Sequence, residues 1–185
     1  GALDIGRFVA LTLCSPNHYY ALTGADTRFE IAYARHSFAR EQAVIVESAV
    51  SHGHRLVEIP EGPVTGIAFV AHEGTGSVTH DTFVPQEREL LDVMANGQLR
   101  FALYDEHGAL KRTADPVLTP AGKPSKCLWC HETSFLRPFN GRTSVPDYLS
   151  LAEFERRIAD RMQELRADSR GCPSPPTAPA DSTSR

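Results

Sequence analysis

Long apolar runs are missing from this chain of 185 residues. A membrane-spanning helix needs roughly 18–20 consecutive apolar residues, and no stretch approaches that, so no membrane span is expected. Lysine is scarce: Lys111, Lys123 and Lys126 are the only three among 19 basic residues. With a formal net charge of -4 and no basic stripe, the chain has no electrostatic basis for a nucleic-acid partner. Four cysteines, Cys14, Cys127, Cys130 and Cys172, are too few to frame a disulfide-held miniature domain of this length. There is no internal repeat, no H-E-x-x-H, no phosphate-binding glycine loop and no nucleophile elbow. Hydrolase and nucleotide chemistry therefore lack their usual constellations.

What is present is an ordinary globular composition, 41% hydrophobic and 23% charged, in a chain long enough for one domain with a core. Residues 1–168 are expected to form that domain. Residues 169–185 are rich in Pro, Ser and Thr, bury too little apolar surface to offset their ordering entropy, and are expected to be a disordered tail.

Periodicity predicts strands over Arg7 to Cys14, Arg28 to Tyr33, Arg55 to Ile59, Val64 to His72 and Leu99 to Tyr104. It predicts short helices over Ser37 to His52 and Pro85 to Asn96, stopped by Gly53 and Gly97. Asp105 to Gly108 reads as a turn, and Thr113 to Ser125 and Arg137 to Pro146 as irregular stretches. The clearest helix runs from Ser150 to about Arg166. Ser150 and Glu153 make a capping box, Leu149 and Phe154 a staple, and Leu151, Phe154, Ile158, Met162 and Leu165 one apolar face. The expected class is α+β: an antiparallel strand-rich body, two short helices, a loop carrying the motif described next, and a C-terminal amphipathic helix.

The one compact chemical device is Cys127-Leu128-Trp129-Cys130-His131. In C-x-x-C-H the two thiols are spaced to add to the two vinyl groups of a haem, and the adjacent imidazole becomes the axial ligand of the iron. With this content of Cys and His, about 0.004 such matches are expected by chance, so the motif is specific. Two other chemistries use similar residues. Structural zinc usually shows a second ligand pair at short spacing, whereas here Cys14 and Cys172 stand alone. A redox dithiol normally follows a strand and opens a helix, whereas here the loop Pro120 to Ser125 precedes it. Trp129, Phe135, Leu136 and Phe139 supply apolar cover near the motif, and Arg137 and Arg142 are candidate partners for haem propionates. Glu132 is a candidate proton carrier beside His131. The three lysines form either a positive rim for an acidic redox partner or simply a solvated loop.

The motif resembles that of c-type cytochromes. In their classical soluble carriers it lies near the N-terminus with a methionine ligand much later; here it lies late. Over about a fifth of the chain, the strand Leu99 to Tyr104, the turn Tyr104-Asp105-Glu106-His107-Gly108 and the following motif are similar to a β-rich group with a late haem motif. That group comprises the c′-beta cytochromes and their relatives with a lysine-cross-linked haem. The resemblance implies a five-coordinate iron that binds nitric oxide or oxidises hydroxylamine. No lysine precedes Lys111, so the resemblance does not extend to the cross-link, and it carries over only to Cys127, Cys130 and His131.

The expectation is therefore a mono-haem cytochrome with one covalent haem c on Cys127 and Cys130, His131 ligating iron, and electron transfer to a redox partner protein. Such a haem is attached outside the bacterial cytoplasm, so a periplasmic or otherwise exported location is expected, with a leader already removed ahead of Gly1. The alternatives are a haem protein with an open iron that handles a small nitrogen-containing ligand, and a zinc-stabilised binding module. Which holds depends on the group opposite His131. The candidates are His18, His36, His52, His54, His72, His80, His107, Met94 and Met162. Met162 also fits the apolar face of the last helix, the usual place of a core methionine. Cys14 and Cys172 are either a disulfide or two free thiols.

Overall fold

A computed structural model describes residues 4–46, 51, 53–61, 67–131 and 145–169. Its centre is one antiparallel sheet of five strands in sequential order: β1 Phe38–Ile45, β2 Arg55–Pro60, β3 Ala68–Thr75, β4 Val84–Val93 and β5 Leu99–Asp105. Five helices surround it: α1 Ile5–Cys14, α2 Pro16–Thr23, α3 Phe29–Tyr33, α4 Pro124–His131 and α5 Leu151–Ser169. The class is thus mixed α+β. Among the described residues no helix is long and apolar enough to cross a membrane. The expected tail 169–185 lies outside the described residues apart from Ser169.

Strands β2, β3 and β5 fall where alternation predicts them. Four other segments take the opposite form, each for a local reason. Arg7 to Cys14 is helical, as α1, and the Ser15–Pro16 step is what stops it. Ser15 is extended (φ -116, ψ 105), as a residue before proline prefers, and Pro16 opens α2 at its first turn. Arg28 to Tyr33 is not a strand. Arg28 makes a single bridge to Ala109, and α3 then turns Phe29 and Tyr33 onto one face, ring centroids 5.2 Å apart, leaving Ile31 52% exposed. Within the predicted helix Ser37 to His52, Phe38–Ile45 is strand β1, and residues 47–50 and 52 lie outside the described residues. Its helix-forming Ala, Arg, Glu and Gln pair along β2, and Ala43 and Ile45 point inward at period two, so tertiary pairing overrides propensity.

Of the predicted helix Pro85 to Asn96, all up to Val93 likewise belongs to β4, paired on both sides, and Met94 to Asn96 lie in the turn that follows. Adjacent Leu90 and Leu91 are buried on opposite faces of the sheet, which imitates a helical stripe in sequence. Pro85 sits at the irregularity between Glu73 and Gly74, where a missing N–H is tolerated. A Cβ at Gly74 would lie 2.0 Å from the Val84 carbonyl oxygen, so only glycine allows this approach. Gly97 ends no helix; it serves the β4–β5 turn at φ 78.

The sheet is covered on both faces. On one, Ala68, Val70, Leu90, Ala102 and Tyr104 pack with Tyr19, Tyr20 and Ala32 from α2 and α3. The rim there holds Asp92, gripped by Arg100 through Nε (2.8 Å) and Nη2 (2.5 Å) and by His36 (3.3 Å). Burial pushes that carboxyl up, but these bonds outweigh it and hold Asp92 below the usual range. On the other face, Ala43, Ile45, Val57 and Ile59 receive Phe154, Leu149 and Ile158 of the α5 region. One half of the expected capping box is present, the Glu153 N–H donating to Ser150 Oγ at 3.2 Å, while the Glu153 carboxylate accepts from Arg156 and Arg157.

Strand β5 is an edge, and α2 closes it. The Phe101 N–H donates to Tyr19 Oη (3.0 Å) and the Leu103 N–H to Tyr20 Oη (3.2 Å), while Tyr20 donates onward to the Lys111 carbonyl (2.6 Å). Tyr20→Phe leaves a buried N–H without an acceptor and is expected to lower the unfolding free energy by about 1–3 kcal/mol. Urea titration with an unchanged slope checks this, and a negligible shift would show that water replaces the hydroxyl.

Candidate functional site

The C-x-x-C-H segment is helical, not the loop expected from the sequence. After the irregular run from Thr113, closed by the Ala114 N–H on the Gly122 carbonyl (2.8 Å), Pro124 opens α4 at a position where its missing N–H costs nothing. Ser125 is fully buried in the first turn. Cys127 and His131 are four residues apart and Cys127 and Cys130 three, so all three positions fall along one side of the helix. The side chains of Leu128, Trp129 and Cys130 lie outside the described residues.

Helix α4 rests against β5. Half-buried Cys127 packs on the cluster of Ile67, Leu99 and Phe101, joined by Phe69, Leu91, Val93 and Met162. The His131 ring lies 5.4 Å from the Phe101 ring, tilted by 46°. The motif thus meets an apolar sheet face made by alternate residues of β3, β4 and β5. Behind it, burial pushes the Tyr19 phenol up to about 12; the Phe101 N–H opposes this and the neighbouring Cys127 adds to it. The hydroxyls that close β5 therefore stay protonated at ordinary pH.

Of the candidates for a second axial ligand, Met162 alone is described in the cluster that holds Cys127. His36 is committed to Asp92, His72 to Glu58, and His54 Nδ1 accepts the Val78 N–H at 2.7 Å. Burial, and then His80, lowers the pKa of His54. His80 Nδ1 lies 3.0 Å from Ser77 Oγ. His18 is exposed on α2, His107 is exposed in the turn after β5, and Met94 sits at the β4–β5 turn. His52, Glu132, Phe135, Leu136, Arg137, Phe139, Arg142 and Cys172 lie outside the described residues. Cys14 is an exposed free thiol.

The lysines divide. Lys111 is drawn inward to Glu87, Lys123 Nζ donates to the Cys14 carbonyl (2.8 Å), and Lys126 is exposed on α4. A three-lysine rim is therefore not formed. The floor of the site, Leu99 and Phe101, lies on a strand whose alternation was legible, but nothing local to those residues ties them to a motif nearly thirty positions later.

The residues fit a covalently held haem: a thiol and an imidazole one helical turn apart, an apolar sheet surface beneath them, and a thioether in the same cluster. Among the described residues no group of three or more His, Cys, Asp and Glu gathers; the side chain of Cys130, a ligand of the zinc alternative, lies outside them. No family model, no curated protein and no solved structure matches the chain.

Phe101 is 7% exposed and supports both Cys127 and His131. Phe101→Ala is expected to cost about 3–5 kcal/mol in thermal or urea unfolding. A loss below about 1 kcal/mol would mean that α4 does not depend on this face.

Proposed function

We propose that this chain is an exported mono-haem c-type cytochrome. Its haem is bound through thioethers to Cys127 and Cys130, with His131 on the iron, and it transfers electrons to a partner protein. The observation that carries the reading is the C-x-x-C-H motif on α4, with Cys127 and His131 seated on the apolar face of β3, β4 and β5 beside Met162. A haem bound there supplies a one-electron couple, and an apolar surround that excludes water shifts that couple upward. The chain's own contribution is placement. Helix α4 spaces the thiols, Phe101 holds the His131 ring from one side, and Leu91, Leu99 and Ile67 supply the dry surface.

A second reading has its own support. The antiparallel sheet accords with the β-rich group having a late haem motif, and six histidine candidates are held or placed away from the Cys127 cluster. Under this reading the iron is open, able to bind or oxidise a small nitrogen-containing ligand, and Met162, the candidate described beside Cys127, does not fill the position.

The test is an absorption spectrum of the full chain matured in a periplasm with haem-attachment machinery, reduced with dithionite and then exposed to CO. Electron transfer predicts sharp low-spin bands that ignore CO, and conversion to a CO-binding form in Met162→Ala. A high-spin spectrum that responds promptly to CO in the unaltered chain would favour the second reading. A colourless protein would end both and leave zinc to be assayed. In the matured chain, thiol alkylation followed by mass measurement is expected to label Cys14 and to spare Cys127 and Cys130. Labelling of Cys127 or Cys130 would exclude two thioether bonds.

A further inference from the structure

The sheet face that carries α4 is apolar at one end and charged at the other. Glu73 on β3 and Glu87 on β4 stand directly opposite each other in register, with exposures of 0% and 1%. Glu89 is the next residue of β4 on the same side. Arg55 on β2 donates through Nη2 to Glu73 and to Glu89 Oε2 (3.3 Å). Glu87 Oε2 accepts from Lys111 Nζ and from the Asp115 N–H (2.9 Å). Asp105, across from Glu87 on β5, is turned away. Its Oδ1 accepts the N–H groups of Ala109 (2.8 Å) and His107 (3.0 Å), which hold its pKa low.

Three carboxylates in this cluster thus face two cations. Four of its polar atoms, Glu73 Oε2, Glu87 Oε1, Glu89 Oε1 and Arg55 Nε, are buried without a hydrogen-bond partner. Directly opposed residues of an antiparallel pair have Cβ atoms about 4.5–5.5 Å apart. Two ionised carboxylates carried on directly opposed positions and cut off from water repel strongly, and each orphaned oxygen loses its hydration without return.

We propose that Glu73 and Glu87 share a single proton, so that this acid pair is a proton-binding site on the sheet face that carries α4. A proton on Glu87 Oε1 donates to Glu73 Oε2, which provides partners for two orphaned oxygens at once. It also brings the cluster to two negative and two positive charges. Glu73 keeps its charge for Arg55. Glu87 is the carrier because burial pushes its carboxyl above the ordinary 4.5 even with Lys111 and the Asp115 amide opposing, and Glu89 adds to the rise. The other oxygen of Glu87 accepts from Lys111 and from the Asp115 N–H, where the chain starts toward α4. The proposal is independent of the haem reading.

Infrared spectroscopy of the full chain at about pH 6, where ordinary Asp and Glu are ionised, tests it. The expected result is the carbonyl stretch of one protonated carboxylic acid, shifted in heavy water and absent from both Glu87→Gln and Glu73→Gln. Thermal unfolding gives a second readout. Because the folded pKa of Glu87 lies above the unfolded one, its contribution is complete below about 4.5 and declines as pH rises through the folded value. That decline should flatten in Glu87→Gln, whose amide still donates to Glu73 but does not titrate. No carboxylic-acid band in the unaltered chain, or a band that survives in both variants, would overturn the proposal.

Discussion

Two tyrosine hydroxyls close the open edge of β5, and much of the molecule is positioned by that closure. An edge strand presents unpaired N–H groups, and those of Phe101 and Leu103 are given to Tyr19 and Tyr20. The same contacts fix α2 against the sheet. Since α4 packs against both β5 and α2, the helix that bears Cys127 and His131 inherits its place from them. Gly24 in the left-handed conformation (φ 63) ends α2, and α3 then carries Phe29 and Tyr33 beneath Tyr104. The order of the chain thus builds a shelf from its N-terminal helices before the sheet is laid on it.

How far the sequence revealed this depended on where burial lay. Strands with one clean alternation, such as Leu99 to Tyr104, were legible, and so was α5, whose Ser150 cap and apolar stripe act within a few residues. The segment Val84–Val93 was not, because a central strand buried on both faces loses its period of two and resembles a helix stripe. Phe38–Ile45 was hidden by good helix formers whose state is set by β2, a partner that local propensity does not register. At the site, Cys127, Cys130 and His131 were legible as a fixed spacing. Phe101 and Met162 were not, because only the folding of β5 and α5 brings them to α4.

The two faces of the sheet handle charge differently. On the face toward α2 and α3, Asp92 is matched by Arg100 and His36, and Glu58 by His72 and Tyr33; burial raises Glu58, and these partners bring it back down. On the opposite face the acids outnumber the bases, and Glu87 remains high. A buried acid with a full complement of partners stays ionised, whereas one that lacks them tends to keep its proton. The sheet holds both cases within a few strand positions of each other, so the difference reflects side-chain neighbours and not depth alone.

The half-burial of Cys127 bears on the order of events in the life of the chain. A sulfur packed on the cluster of Ile67, Leu99 and Phe101 is poorly placed for an enzyme that must bring a vinyl group to it. Under the proposed cytochrome reading, covalent attachment therefore belongs to a chain in which α4 is not yet docked on the sheet. The sheet and α2 can form first, because their contacts are independent of α5. Under that reading the docking of α4 on β5 would follow maturation, so this packing step, and not the sheet, would set whether the cofactor is inserted in time.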